Sequence, residues 1–275
     1  MTANDLPSLP KLMVAPNGAR RGKADHPAIP ITLDEIVKDA AACFEAGADG
    51  LHLHLRDQAG RHILDAGMYR EALVELRRVV PDMAVQITTE AMGQRGRQYE
   101  PGYQCAVALD SGAKLVSVSI REIAAGGDRD EKIARRAVMF YRACQERGIA
   151  VQHVLYNIHD FGLLEDVLPS TMFQAPELQL LFVLGQRWPT IDINSKPSML
   201  TPYIYQMADH GLTSDWMACA FGPAETACLR LAASHGGKLR VGFENCLWHE
   251  DGTVAKSNAE RIETIIREID APPAA

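Results

Sequence analysis

The sequence predicts an α/β protein, a single-domain (β/α)8 TIM barrel over residues 1–275. Three observations predict it. Short apolar or alternating runs alternate with amphipathic helical stretches eight times over about 260 residues, and about 250 residues is the usual size of such a barrel. Several of the runs, 177–184 (ELQLLFVL) among them, are almost continuously apolar, as strands covered on both faces must be. No linker divides the series, and no GxGxxG follows an early strand, as a doubly wound nucleotide-binding sheet would require.

The elements follow in order. The first strand is 11–16 (KLMVAP), closed by the turn Asn17-Gly18-Ala19 and a polar loop with Arg20, Arg21, Lys23, Asp25 and His26. Thr32, with Glu35 three residues on, forms a capping box. It opens a helix to about residue 46 that sets Ile36, Val37, Ala40, Cys43 and Phe44 on one face. The second strand, Leu51-His52-Leu53-His54-Leu55, alternates with period two. A helix over 65–79 stops at Pro81. Strand 84–88 (AVQIT) then enters a polar loop, 89–100, with Arg95 and Arg97. Helix 101–111, strand 114–119 (KLVSVS), helix 130–147 and strand 149–156 (IAVQHVLY) come next. A brief helix at 160–168 precedes strand 177–184, and a polar loop runs over 185–196. Helix 197–209, strand 214–220, a helix opened by Pro223, strand 238–243 and a last helix over 255–269 complete the count.

The chain is 47% hydrophobic and 23% charged, the balance of a globular protein with a substantial core. A net charge of −7 argues against non-specific binding to nucleic acid or an anionic membrane. No apolar run approaches the roughly 20 residues that span a bilayer. Residues 1–10 carry neither a basic start nor an apolar stretch, so no signal peptide is expected. The six cysteines are scattered without a CxxC, which fits small core residues of a reducing, cytoplasmic protein.

In such barrels the active site lies at the C-terminal ends of the strands. His52 and His54 share one face of the second strand, with Cα atoms about 7 Å apart. Two such imidazoles suit one transition-metal ion. As a hydrogen-bonded core pair they would need several polar partners instead. Glu244 lies just past the eighth strand, and even-numbered strands fill the same layer of the interior. Two histidines and a glutamate are a common zinc arrangement; the alternative is that Glu244 caps its loop or pairs with Arg240. Arg240 suits the grip of a carboxylate, or else it pairs with Asp57. Thr88 or Thr89 would donate to an oxyanion across the mouth, or else each is a plain strand-end threonine. Glu90 and Glu122 are general-base candidates as the carboxylates nearest strand ends; the alternative, the more common case, is a solvated loop charge. Asn17, Ser117, Ser119, Arg121, Gln152, Asn157 and Asn245 are the other polar residues there. The loops with Arg20, Arg21 and Lys23, and with Arg95 and Arg97, either bind phosphates of a cofactor or stay solvated. His62, His235 and His249 read as surface or loop residues, and His153 as a core or a site residue.

The segments Ala15-Pro16-Asn17-Gly18-Ala19-Arg20, Gly47 to Asp57 (GADGLHLHLRD), Gln86-Ile87-Thr88-Thr89-Glu90 and Arg240 to Asn245 (RVGFEN) resemble the β-keto acid cleavage enzymes, the family of 3-keto-5-aminohexanoate cleavage enzyme. The HxHxRD and RVGxE segments carry the likeness together. It implies a zinc-dependent TIM barrel that condenses a β-keto acid with acetyl-CoA to give acetoacetate and a new acyl-CoA. It also implies that His52, His54 and Glu244 hold the zinc, a Lewis acid. Arg240 matches an arginine that promotes deprotonation with a hydroxyl, here Thr88 or Thr89, and an aspartate. The chain departs at that aspartate, where Asn245 stands; an amide cannot accept a proton as a carboxylate does. It departs again in the fifth strand, where Gln152 or His153 replaces a glutamate of some members. Asn17, Arg20 and the 89–100 loop are expected to read the substrate's side chain. The family implies a homo-oligomer. Two other readings stand beside this one. One is a metal-dependent lyase or hydrolase acting without CoA. Amidohydrolases, however, carry their histidine pair on the first strand and an aspartate at the eighth. The other is a catalytically silent metal-binding protein, which Asn245 favours.

Overall fold

The structure is a computed structural model that describes residues 6–91, 100–124, 131–188 and 191–270. Eight parallel strands close into a barrel. They are β1 (Leu12–Val14), β2 (Gly50–Leu53), β3 (Ala84–Thr88), β4 (Leu115–Ser119), β5 (Ala150–Leu155), β6 (Gln179–Leu184), β7 (Asp215–Ala220) and β8 (Lys238–Val241). Each pairs with its neighbours in sequence order, and β8 returns to β1 through Leu12↔Leu239 and Met13↔Arg240. Helices fill the connections, beginning with Leu33–Glu45 after β1 and ending with Asn258–Asp270 after β8.

Strand alternation divides the apolar residues into two clusters. Met13, Leu115, Ala150, Leu181 and Met217 pack together with Leu9 inside the barrel. Val14, Leu51, Leu53, Ile87, Val116, Val118, Leu180 and Phe182 face outward onto the helices. Burying each large side chain contributes roughly 1.5–3 kcal/mol. The first helix begins as its sequence requires. Thr32 Oγ1 accepts from Glu35 N, and the Glu35 carboxylate accepts from Thr32 N.

At the N-terminal end, the foot of the barrel, the segment before β1 forms a plug. Lys238 Nζ donates to Asp215 (2.8 Å) and to Leu9 O (2.6 Å), while Asp215 Oδ2 accepts from Leu9 N at 2.8 Å. Gln179 Nε2 adds a bond to Pro7 O at 2.7 Å.

Three local features depart from expectation. The period-two run of the second strand is two elements. β2 ends at Leu53, and Leu55–Arg56 pairs antiparallel with His62–Ile63. The Asp57-to-Gly60 turn folds this hairpin back; unbroken alternation concealed the break. The stretch expected as a polar loop at 185–196 holds a second small ladder, Gln186–Trp188 against Ile191–Ile193. Its strands are too short to stand out against their polar residues. Short helices at Ile120–Ile123 and Ser170–Phe173 were not signalled. All six cysteines are free and buried. No helix of the described residues is long and apolar enough to cross a membrane. Arg95 and Arg97 lie outside the described residues.

Candidate metal centre at the barrel mouth

His52, on β2, points into the barrel, and His54 follows where the chain leaves the strand. Their Nε2 atoms are 3.0 Å apart. Glu244 Oε2 lies 3.8 Å from each. Ligands of a tetrahedral ion with bonds of about 2.0–2.1 Å stand about 3.3 Å apart, so one cation between the three atoms fits with small adjustment. These three form the group able to hold a metal among the described residues.

Hydrogen bonding fixes the tautomers. Gln152 Nε2 donates to Leu180 O at 3.4 Å, Gln152 Oε1 accepts from Gln86 Nε2 at 2.9 Å, and Gln86 Oε1 faces His52 Nδ1 at 2.7 Å. A carbonyl oxygen only accepts, so His52 carries its proton on Nδ1 and presents a bare Nε2. On the other side His62 Nε2 bonds Glu90 O at 2.8 Å, which leaves His62 Nδ1 to accept from His54 Nδ1 at 3.4 Å. His54 Nε2 is then bare as well. Glu244 Oε2 has no hydrogen-bond partner. Three lone pairs converge with no donor among them, an arrangement that a cation resolves.

Electrostatics agree. Burial pushes His52 down to about 4, with Arg240 adding to the effect. Burial likewise lowers His54 well below the ordinary histidine range, helped by His52 and His62. Both rings stay neutral, the form that ligates. Burial would raise the Glu244 carboxyl, but the Arg240 and Arg20 guanidinium groups outweigh it and hold Glu244 below the usual carboxylate value.

The frame around Glu244 is backbone geometry. Glu244 N donates to Ala15 O (3.0 Å), and Ala15 N donates to Val241 O (2.8 Å). Gly242, at φ 141°, allows this approach: a Cβ there would meet Ala15 O at 2.4 Å. Gly18, at φ 56°, leaves the room that the Glu244 side chain fills; a Cβ there would sit 2.4 Å from Glu244 Cγ. Arg56, buried, donates to the carbonyls of Asn17, Gly18, Ala19 and Arg21 and so clamps the β1 loop above the site.

A cavity of about 560 Å³, counting its open mouth, lies over the group. Arg20, Thr88, Glu90, Ser117, Ser119, Tyr156 and Arg240 line it with His52 and Glu244. Arg240 Nη2 donates to Glu244 Oε1 at 3.2 Å and reaches Cys219 Sγ at 3.4 Å. Asp57 is not its partner; that carboxylate pairs with Arg61. Arg20 bonds Glu90 at 3.0 Å. Burial pushes Glu90 up to about 7 against the pull of Arg20, with Glu244 adding to the rise. Thr88 Oγ1 accepts from Glu90 N at 3.0 Å. Thr89 is turned into the wall, donating to Ser117 O at 3.0 Å.

Several expected site residues sit elsewhere. Asn17 gives its amide hydrogens to Pro30 O (2.9 Å) and His54 O (3.2 Å), so it pins the β2 end and borders a side recess rather than the cavity. Glu122 accepts from Ala91 N and Gln104 Nε2, off the cavity wall. Arg121 pairs with Asp160, and Asn157 Oδ1 accepts from His159 N at 2.9 Å. Asn245 is fully buried, and neither polar atom of its side chain has a partner. His153 faces away from the barrel interior, while Gln152 faces in. His62 is buried with its ring 4.9 Å from that of His54, not on the surface. The hairpin that carries it is what sequence periodicity missed; Gly60 before Arg61-His62 was the available turn signal.

Fold and site together define a TIM-barrel protein with a three-ligand candidate metal group at the C-terminal mouth. The model of the β-keto acid cleavage enzymes matches residues 11–275, and the chain belongs to that family. The 3-keto-5-aminohexanoate cleavage enzyme of Fusobacterium nucleatum is 25% identical over 256 residues, covering 91% of this chain and 87% of that protein. The 3-oxoadipate:acetyl-CoA acetyltransferase of Cupriavidus necator is 25% identical over 261 residues, covering 92% and 86%. Among solved structures, ObcA in ternary complex with a C4-CoA adduct and oxalate matches with TM-score 0.66 at 18% identity. That match covers 88% of this chain but 64% of ObcA, and it shows the shared fold.

Proposed function

We propose that this protein is a zinc-dependent β-keto acid cleavage enzyme with acetyl-CoA as co-substrate. The acyl group that contains the ketone carbon of the β-keto acid goes to CoA, and the acetyl group of acetyl-CoA takes its place on the α-carbon, giving acetoacetate and a new acyl-CoA. The observation that carries this reading is the convergence of three uncommitted lone pairs, from His52, His54 and Glu244, beneath a cavity with two arginines. Family membership and the printed names of its relatives support the reaction type.

When bound, the zinc would supply Lewis acidity to a keto oxygen. The chain's own residues do the rest. Arg240, held by Glu244, offers its remaining donors to a carboxylate or oxyanion. Thr88 keeps its hydroxyl hydrogen for the cavity, since its oxygen already accepts from Glu90 N. Glu90 and Glu244 are the carboxylates on the cavity wall, and Glu244 belongs to the ligand group. Glu90, near 7, therefore takes the α-carbon proton in place of the family's aspartate. Asn245 acts by packing. Arg20 orients Glu90 and meets the substrate.

The test is a purified sample supplied with a panel of β-keto acids. Acetoacetate should form only with acetyl-CoA present, chelation should stop it, and zinc should restore it. His52→Ala should lose stoichiometric metal and turnover together. A panel that yields no acetoacetate while the metal stays bound would overturn the reaction and leave the centre. Conversion of a keto acid without CoA would instead favour the lyase or hydrolase reading.

A further inference from the structure

The cavity at the mouth has two unlike sides. In a closed ring of eight strands the strand four places on stands opposite, so β6 faces β2 and β4 faces β8. The candidate metal group comes from the ends of β2 and β8. Arg20, Glu90, Arg240 and Glu244, the Arg and Glu residues on the described cavity wall, all sit on that side. They are already matched, Arg20 with Glu90 at 3.0 Å and Arg240 with Glu244 at 3.2 Å.

The opposite side, from β4 to just past β6, presents Ser117, Ser119, Val154, Tyr156, Val183 and Gln186, with no charge among its described residues. The parallel register sets Ser119 beside Val154. Strand alternation turns the two serines and two valines into the lumen, and each keeps 3–8% of its surface exposed there. The Ser119 hydroxyl gives no bond to the helical turn it precedes, Ile120–Ile123. Burial holds the Tyr156 hydroxyl in its neutral form. Arg121, the cation that follows β4, is not on the cavity wall. It pairs with Asp160 at 2.7 Å and lies 5.4 Å from the centre of the Tyr156 ring.

An eight-stranded barrel has a lumen only wide enough for side chains to fill. A β-keto acid held at the metal group, with its carboxylate at Arg240, therefore runs the chain beyond its ketone onto the uncharged side. An ion at the end of that chain would leave water and meet no counter-charge. Valine methyls suit methylene groups, and a serine hydroxyl pairs with a neutral oxygen.

We propose that the β4–β6 wall selects β-keto acids whose chain beyond the ketone is uncharged. The methylene groups lie on Val154 and Val183, and a hydroxyl or carbonyl on the chain is met by Ser117 and Ser119. This deepens the reading of the site as a β-keto acid enzyme and rests on it.

Four six-carbon acids that differ at the end of the chain test the proposal: 3-oxohexanoate, 5-hydroxy-3-oxohexanoate, 3-oxoadipate and 5-amino-3-oxohexanoate. Calorimetry on the zinc-loaded full chain, without acetyl-CoA, measures affinity apart from turnover. The two neutral acids should bind at least about tenfold tighter than either charged one, and kcat/KM with acetyl-CoA should follow the same order. Ser119→Asp places a carboxylate on the wall at a position that aspartate suits, ahead of a helical turn. It should raise the affinity for 5-amino-3-oxohexanoate relative to 3-oxohexanoate by about tenfold. A charged acid that binds and reacts as well as the neutral ones would overturn the proposal and leave the β-keto acid reading standing. If none of the four binds or reacts, that reading falls and the proposal falls with it. A folded Ser119→Asp with unchanged preference would also overturn it, because the chain would then not lie against β4. The four-acid comparison uses the unmutated protein, so the outcome does not depend on the variant folding.

Discussion

At the foot of the barrel, Lys238 and Asp215 face each other at 2.8 Å and between them close on both the N–H and the C=O of Leu9. At the mouth, Glu244 Oε2 stands 3.8 Å from two bare imidazole nitrogens with no donor among them. One end pairs its charged groups with the backbone; the other keeps lone pairs in reserve. The difference teaches that a buried polar cluster marks a ligand site by the sign of what is left over, not by its number of charges. Leftover acceptors call for a cation, whereas the foot has matched donor with acceptor.

The largest effect is expected where the mouth is bolted to its frame. Asn258 donates to Asp39 (2.9 Å) and to Pro16 O, and accepts from Phe243 N (2.8 Å). Burial pushes Asp39 up to about 7 against the hydrogen bonds of Asn258 and Cys43. A carboxyl with a folded value above its unfolded value, near 3.9, binds its proton more tightly in the native state. Its contribution is therefore full below about pH 4 and is lost as pH rises through about 7. Urea unfolding should show wild type losing on the order of 3 kcal/mol relative to Asp39→Asn between pH 4 and pH 7.5. Parallel curves for the two would refute the assignment.

Next in size is the relay behind the centre. Gln86→Leu removes the acceptor that holds the His52 proton on Nδ1. Metal affinity should fall about 10–100-fold, as for other lost outer partners of metal-binding histidines. Competition with a chelator of known affinity measures it. Unchanged affinity would mean that the ring does not need this orientation.

The smallest effect belongs to the foot. Lys238→Met breaks a partly exposed pair and the bond to Leu9 O. It should lower stability by about 1 kcal/mol, a figure already reduced for solvent screening, and leave metal content and turnover as they were. A loss of metal in this variant would blur the contrast between the two ends.

Much of this was legible in the sequence because it depends on periodicity. The apolar runs gave the strands, and Thr32 with Glu35 gave the first helix start. His52 and His54 were readable as a pair because two positions along a strand share a face. Glu244 was readable because the layers of a barrel bring alternate strands together. What escaped depends on register and on reversals of the chain. Gln86 meets His52 and Gln152 only because the strands pair as His52↔Gln86 and β4 lies between β3 and β5 with Ser117↔Gln152. No local pattern encodes that alignment. His62 escaped because the hairpin that returns it begins inside an unbroken alternation. Thr88 and Thr89 were equivalent in sequence, and one step along the strand separates the hydroxyl on the cavity wall from the one buried within it.

The chain of amides that ends at Leu180 O crosses the lumen of the barrel and never enters a loop. The proton position of one candidate ligand ring is thus set by the staves of the barrel. The rim above can change length or composition without disturbing the hydrogen bond that aims His52, whereas His54 and Glu244, which stand just beyond their strands, are held by that rim.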